Sequence, residues 1–378
     1  MADYDYDAND EKSNGLTLIR SLIVLGFVVV AIIAFLPNIQ NTVQDIVPTD
    51  TIEVECVIGS EKSGFLDNEQ VQNILAREYG ISVSYRRAGS IEQVMESPEG
   101  LDCLWPSNTS ALEIFEARNP SLSASDEVIF NSPIVLYSWQ SVVDGLIAEG
   151  IVTESAEGIL SVDSFEMLEL LVSEDRPQWS AIGVPELFGS FNIVTTDPTR
   201  SNSGNMFYAL LANILNGGDV ATETTIEPHL DTINAYYDRQ GRLEDSSGFL
   251  FEQFTIQGVG AFPIIANYES LLIEFAIANP DNVEQITSEI RIIYLTPTVW
   301  SSHPLISLTD NGDLLLEAVQ DERLQAIAWE QHGFRSGLAG VENDPAVFNL
   351  SGISPNVTSV IPLPRSEALL ALLDSLEK

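Results

Sequence analysis

The chain has 378 residues, 45% of them apolar, and a formal net charge of −40 from 56 acidic and 16 basic side chains. That length and apolar content suit two lobes with real cores rather than one small domain. The charge argues against nucleic acid as a partner, since no basic stripe is present to neutralise phosphates; the acid excess keeps an exposed protein soluble and leaves the sign of a locally held ligand open.

The first element is LTLIRSLIVLGFVVVAIIAFLP, from Leu16 to Pro37, uncharged from Ser21 to Leu36. About twenty apolar residues span a bilayer as a helix. Ala31 and Ala34 are spaced one residue too far apart for a signal-peptidase site, and no lipobox cysteine follows. Lys12 and Arg20 precede or begin the run, and the next basic residue is Lys62. The positive-inside rule then puts the N-terminus in the cytoplasm and the main domain outside, periplasmic or extracellular. The expectation is a cytoplasmic tail (1–15), an uncleaved single-pass transmembrane signal anchor (16–37) and a polar linker (38–50).

From Thr51 strands and helices alternate. IEVECVI (52–58), ISVSYRR (81–87) and LDCLW (101–105) read as strands, separated by the helical stretches EQVQNILAREYG and IEQVMES and followed by ALEIFEARN. This βαβαβ rhythm predicts a parallel sheet with ligands beyond the carboxyl ends of its strands. Three polar loops fall there: Gly59–Ser63, Ala88–Ser90 and Pro106–Ser110. Cys56 and Cys103 each lie three residues before the end of their strands. Neighbouring parallel strands would set the sulfurs side by side, either bonded or as two buried thiols.

Extended runs at 128–139 and 290–298 bracket a second αβ region and have the form of a two-stranded hinge. Between them come helices VVDGLIAEG and VDSFEMLELLVS, a strand FNIV (191–194), an amphipathic helix MFYALLANIL (206–215) and helices near 230–237 and 250–255. A buried strand at 261–266 then turns at Asn267–Glu269 into a helix. The strand HPLISL (303–308), one long helix NGDLLLEAVQDERLQAIAWEQHGF and a closing helix SEALLALLDSLE complete the chain.

The most informative stretch is TTDPTRSNSGNMF, from Thr195 to Phe207. A strand, a dense polar turn and a helix start bring hydroxyls, first-turn N–H groups and Arg200 together, a setting for an anionic or polar group. Catalytic signatures are absent: no GxSxG elbow, Walker loop or GxGxxG follows a strand. His229, His303 and His332 lack metal-ligand spacing, and neither cysteine belongs to a CxxC, so no metal or cofactor is expected.

These parts together resemble a type II periplasmic solute-binding protein of the phosphate- and molybdate-binding group. The resemblance rests on IGSEKSGFLDNEQV, LDCLWPSNTS, DPTRSNSGNMF, GVGAFPIIANYES, SSHPL and EQHGFRS, and covers about residues 51–335. It implies an α/β fold of two lobes closing on a small ligand: lobe I from 51–135 and 299–350, lobe II from 136–298, and a C-terminal tail and helix at 351–378. It implies ligand contacts at Ser60, Glu61 and Lys62, at Ser107, Asn108 and Thr109, at Thr199, Arg200, Ser201, Asn202 and Ser203, and at Tyr268 and Glu269. The implied function is non-enzymatic capture of a small polar solute or oxyanion at the outer membrane face, for an ABC permease. The alternative is a sensing, structural or adhesive ectodomain of a membrane-bound assembly.

Overall fold

A computed structural model describes residues 51–348 and 350–377; the expected tail, anchor and linker lie outside the described residues. No helix among the described residues is long and apolar enough to cross a membrane. Ten strands are present among the described residues: β1 (Ile52–Ile58), β2 (Ile81–Arg87), β3 (Cys103–Trp105), β4 (Ser125–Trp139), β5 (Val152–Glu154), β6 (Leu160–Asp163), β7 (Ile264–Tyr268), β8 (Ile290–Thr296), β9 (Trp300–Ser307) and β10 (Arg335–Ser336). Their order is β2-β1-β3-β9-β4-β8-β6-β5, with β7 and β10 also paired to β4.

β1 runs parallel to both β2 and β3, as the βαβαβ rhythm requires. Period-two alternation puts Val54, Cys56 and Ile58 into one core with Trp105 and Phe130, and Val57 into another with Leu104 and Ile306. Cys56 stands opposite Cys103 in the register, and the two are disulfide-bonded.

β4 belongs to two sheets. Residues 125–133 pair with β9, and residues 134–139 pair with β7 and β8. Beyond the changeover at Pro133–Ile134, Ile134 and Leu136 join one core while Val135 and Tyr137 join a core on the opposite face.

Three expected elements differ. The helix Asn202–Leu215 starts earlier than 206 and is not amphipathic: every residue from Asn202 to Ile214 is buried. It packs against β7 and against the helices Ser164–Val172, Leu230–Gln240 and Ser247–Gln257, which leaves no face for solvent. The single long helix after β9 is two, Asp310–Ala318 and Glu322–His332, because the Asp321 carboxylate accepts from the N–H of Arg323 and starts a new helix. The strand at 191–194 makes only an isolated bridge, Val194 to Ile265.

The C-terminal helix Ser366–Leu376 packs on both sides of the molecule. Ala368, Leu369, Leu372, Leu373 and Leu376 enter the largest core, while Leu370 packs on the core that holds Val57 and Ile114. The segment before it is tied along its length. Thr298 pairs with Val360, Asn213 Nδ2 donates to the Pro362 carbonyl, and Ser110 Oγ donates to the Pro364 carbonyl.

Candidate functional site

A cleft of about 870 Å³ lies where the polar loops meet. One wall comes from beyond the carboxyl ends of β1, β2 and β3, through Gly59–Glu61, Arg87–Ser90 and Ser107. Pro198–Asn202, Asn205 and Asp245–Ser247 form the opposite wall, and the C-terminal helix adds Leu370, Leu373, Asp374 and Glu377. Of the expected ligand residues, Ser60, Glu61, Ser107, Thr199, Arg200, Ser201 and Asn202 line this cleft.

Asn202 joins the two walls. Its Nδ2 donates to the Ser107 carbonyl at 2.9 Å and to the Tyr268 hydroxyl at 2.9 Å, and its Oδ1 accepts from Asn108 Nδ2 at 2.5 Å. Asn108 Oδ1 caps the helix Thr109–Arg118 by accepting from the Ala111 N–H at 2.6 Å. Thr109 is half-buried at that helix start, outside the cleft lining.

Beneath Glu61 lies a buried charge cluster. Lys62 Nζ, fully buried, sits 2.6 Å from Glu61 Oε1, 2.7 Å from Ser107 Oγ and 3.2 Å from His303 Nδ1. The Ser107 hydroxyl donates in turn to Glu61 Oε1. Burial pushes the Glu61 carboxyl up, but Lys62, His303 and these hydrogen bonds outweigh it and hold it down to about 2. Burial pulls the Lys62 ammonium below its ordinary value against the attraction of Glu61. Burial, then Lys62, keeps His303 well below the ordinary histidine value, against the attraction of Glu61. Gly59 has no room for a side chain, since a Cβ there would overlap Glu61 and Ser107 Oγ.

On the opposite wall, serines form a ladder. Ser203 Oγ lies 2.8 Å from Thr196 Oγ1 and 2.7 Å from Ser247 Oγ, and Ser201 Oγ lies 3.3 Å from Ser247 Oγ. Ser203 is fully buried behind the cleft surface. Gly204 lets the helix press on Thr196, whose carbonyl oxygen a Cβ would overlap. Thr199 is held by Asp197, which accepts from both its N–H and its hydroxyl. Arg200 Nη1 donates to Asp245 Oδ2 at 2.7 Å, both side chains being largely exposed.

Tyr268 and Glu269 stand apart from the lining. Tyr268 is in the largest core. Glu269 is fully buried, and the Arg335 fork takes both its oxygens, Nε to Oε2 at 2.6 Å and Nη2 to Oε1 at 2.8 Å, with the Tyr294 hydroxyl added. Its carboxylate is committed to holding β10 and the following chain to the helix Ser270–Ala278.

Several lining residues escaped sequence reasoning. Ser247 opens the helix Ser247–Gln257, whose start carried no site signal, and the C-terminal helix carried no signal of a cleft role, whereas Ser90 falls in the expected polar loop Ala88–Ser90. Asn205 stands inside the SNSGN run of the most informative stretch and is 3% exposed. Among the described residues, no group of three or more His, Cys, Asp or Glu side chains is placed to hold a metal.

No family model and no curated protein matches the chain. Solved structures do. Iron-bound HitA from Pseudomonas aeruginosa superposes with a TM-score of 0.55 at 13% identity, covering 86% of this chain and 100% of that one. The periplasmic binding protein AfuA from Actinobacillus pleuropneumoniae, with fructose 6-phosphate bound, gives 0.54 at 10% identity, over 86% and 96%. The apo ferric ion-binding protein A from Pasteurella haemolytica gives 0.52 at 13%, also over 86% and 96%. AfuA and the ferric ion-binding protein are binding proteins by description and HitA is described with iron bound, and the likeness shows that this chain has the mixed α/β, two-lobed fold of the periplasmic binding proteins.

Proposed function

We propose that the protein captures a small polar solute between its two lobes on the outer side of a cell membrane, anchored by residues 16–37, and passes it to an ABC-type permease. One observation carries the reading: the ends of three parallel strands and the start of the helix Asn202–Leu215 face each other across a single cleft, already bridged by Asn202. Ligands of open α/β sheets bind beyond the carboxyl ends of the strands. The fold's relatives support it, since HitA is described with bound iron and AfuA with bound fructose 6-phosphate. Lobe I is taken as 51–135 with 299–350 and lobe II as 136–298, the two sheets sharing β4. The ligand would meet Ser60, Glu61, Ser107, Thr199, Ser201 and Asn202, with Lys62, Asn108 and Ser203 supporting them from behind.

A thermal-shift screen of the full chain against amines, sugars, amino acids and oxyanions tests this. A ligand should raise the melting temperature, and Ser201→Ala with Ser247→Ala should remove the rise while the ligand-free melting temperature holds. A rise unchanged in that double variant would move the site elsewhere. Anchoring is tested separately: the intact chain should pellet with membranes and the chain lacking residues 1–40 should not. Release of the intact chain by salt alone would contradict the anchor.

A further inference from the structure

The cleft's charge and hydrogen-bonding state select among ligand classes. Among the described residues, five carboxylates line it, Glu61, Glu92, Asp245, Asp374 and Glu377, against two guanidiniums, Arg87 and Arg200. Arg200 is engaged by Asp245, and Lys62 is sealed behind Glu61 and Ser107. Three backbone donors near the cleft that an oxyanion could use are also taken. The Gly204 N–H goes to Thr196 Oγ1 at 2.8 Å, the Ala111 N–H to Asn108 Oδ1, and the Ser107 N–H to Ser90 Oγ at 2.9 Å. Anion sites at helix termini depend on such N–H groups being free.

What is open to a ligand has the opposite character. All the hydrogen bonds and ion pairs of Glu61 fall on Oε1, so Oε2 is available on a residue that lines the cleft. Asn205, 3% exposed and part of the lining, has no hydrogen-bond partner on either Oδ1 or Nδ2. A buried amide left wholly unpaired costs stability unless something completes it. Beside these lie Ile91, Met95, Leu370 and Leu373, an apolar surface next to Asp374 and Glu377.

We propose that the cleft takes an organic cation, a short amine that also offers a hydroxyl or carbonyl to Asn205, rather than an oxyanion. The ammonium is attracted by the carboxylate excess, the alkyl part lies on the leucines of the C-terminal helix, and Asn205 reads the polar end. This rests on the cleft being the binding site, as proposed above.

Three probes of one length and different charge test it: 4-aminobutan-1-ol, butane-1,4-diol and 4-hydroxybutanoate, each titrated calorimetrically into the full chain. The amino alcohol should bind at least about ten-fold more tightly than the diol, and the acid more weakly still. Asp374→Asn, at an exposed position, should weaken the amino alcohol several-fold at low salt and leave the diol unchanged. Asn205→Ala should abolish the probe's binding while the ligand-free melting temperature stays level or rises, because the variant removes an unpaired buried amide. A fall in melting temperature with binding retained would make Asn205 structural and overturn its role. Equal or tighter binding of the diol or the acid would overturn the cationic class and leave the cleft standing. Binding of none of the three overturns the inference, and the wider solute screen then decides the cleft on its own.

Discussion

Glu61 and Glu269 are a matched pair with different fates. Both follow a strand, Glu269 fully buried and Glu61 with its side chain 8% exposed, and both face a basic side chain within 2.6 Å. Arg335 presents a planar fork that occupies both oxygens of Glu269, and Tyr294 adds a third donor. Lys62 is a point charge that, with Ser107, loads one oxygen of Glu61 and leaves the other. The shape of the cation thus decides whether a carboxylate has both oxygens closed off or one left open.

The largest expected effect breaks the closed pair. Arg335→Ala leaves the Glu269 carboxyl in the core with only the Tyr294 hydroxyl as partner, which should cost about 3–5 kcal/mol in urea unfolding. A loss under about 1 kcal/mol would show that Glu269 reaches water or another partner.

The open pair is sharpened by acid. Because the folded-state value of Glu61, about 2, lies below the ordinary 4.5, its contribution is complete above pH 4.5 and is lost as pH falls towards 2. The amount is on the order of 3 kcal/mol. Denaturation midpoints measured from pH 5 to pH 2 should fall more steeply in the parent than in Glu61→Gln, and parallel curves would remove the depressed value.

His303 adds a comparable slope at higher pH. Its folded value lies well below the ordinary 6.5, so on acidification below 6.5 the unfolded chain takes up a proton that the native ring refuses. Stability from this group then falls by about 1.4 kcal/mol per pH unit, and His303→Gln should flatten the curve by that much. The smallest effect is at the rim. Arg200→Ala breaks an exposed pair and should leave the melting temperature unchanged.

The sequence was legible where period and turn chemistry are local. The three loops beyond β1, β2 and β3 could be placed because each strand announces its own end, and Gly59–Glu61 and Ser107 do line the cleft. What could not be read was partnership. Nothing near Glu269 reveals Arg335, 66 residues away, and nothing near Arg200 reveals Asp245, 45 residues away. Burial on every side of the helix Asn202–Leu215 depends on three other helices and β7, so its pattern read as an amphipathic helix with one face to solvent. Asp321 did carry a local cue, an N-cap inside an apolar run, which a strict helical period passes over. Asn205 shows the same limit from the other side, because an unpaired amide is visible only when all its neighbours are known.

The C-terminal helix has a bearing on how the molecule is made. Ribosomes emit the lobes' strands and helices well before residues 366–376, yet that helix furnishes Leu370, Leu373, Asp374 and Glu377 to the cavity and fills part of the largest core. A chain interrupted after Thr298 and before Ser366 carries both polar loop walls and still lacks the third. The cleft therefore gains its third wall only once synthesis has passed residue 377.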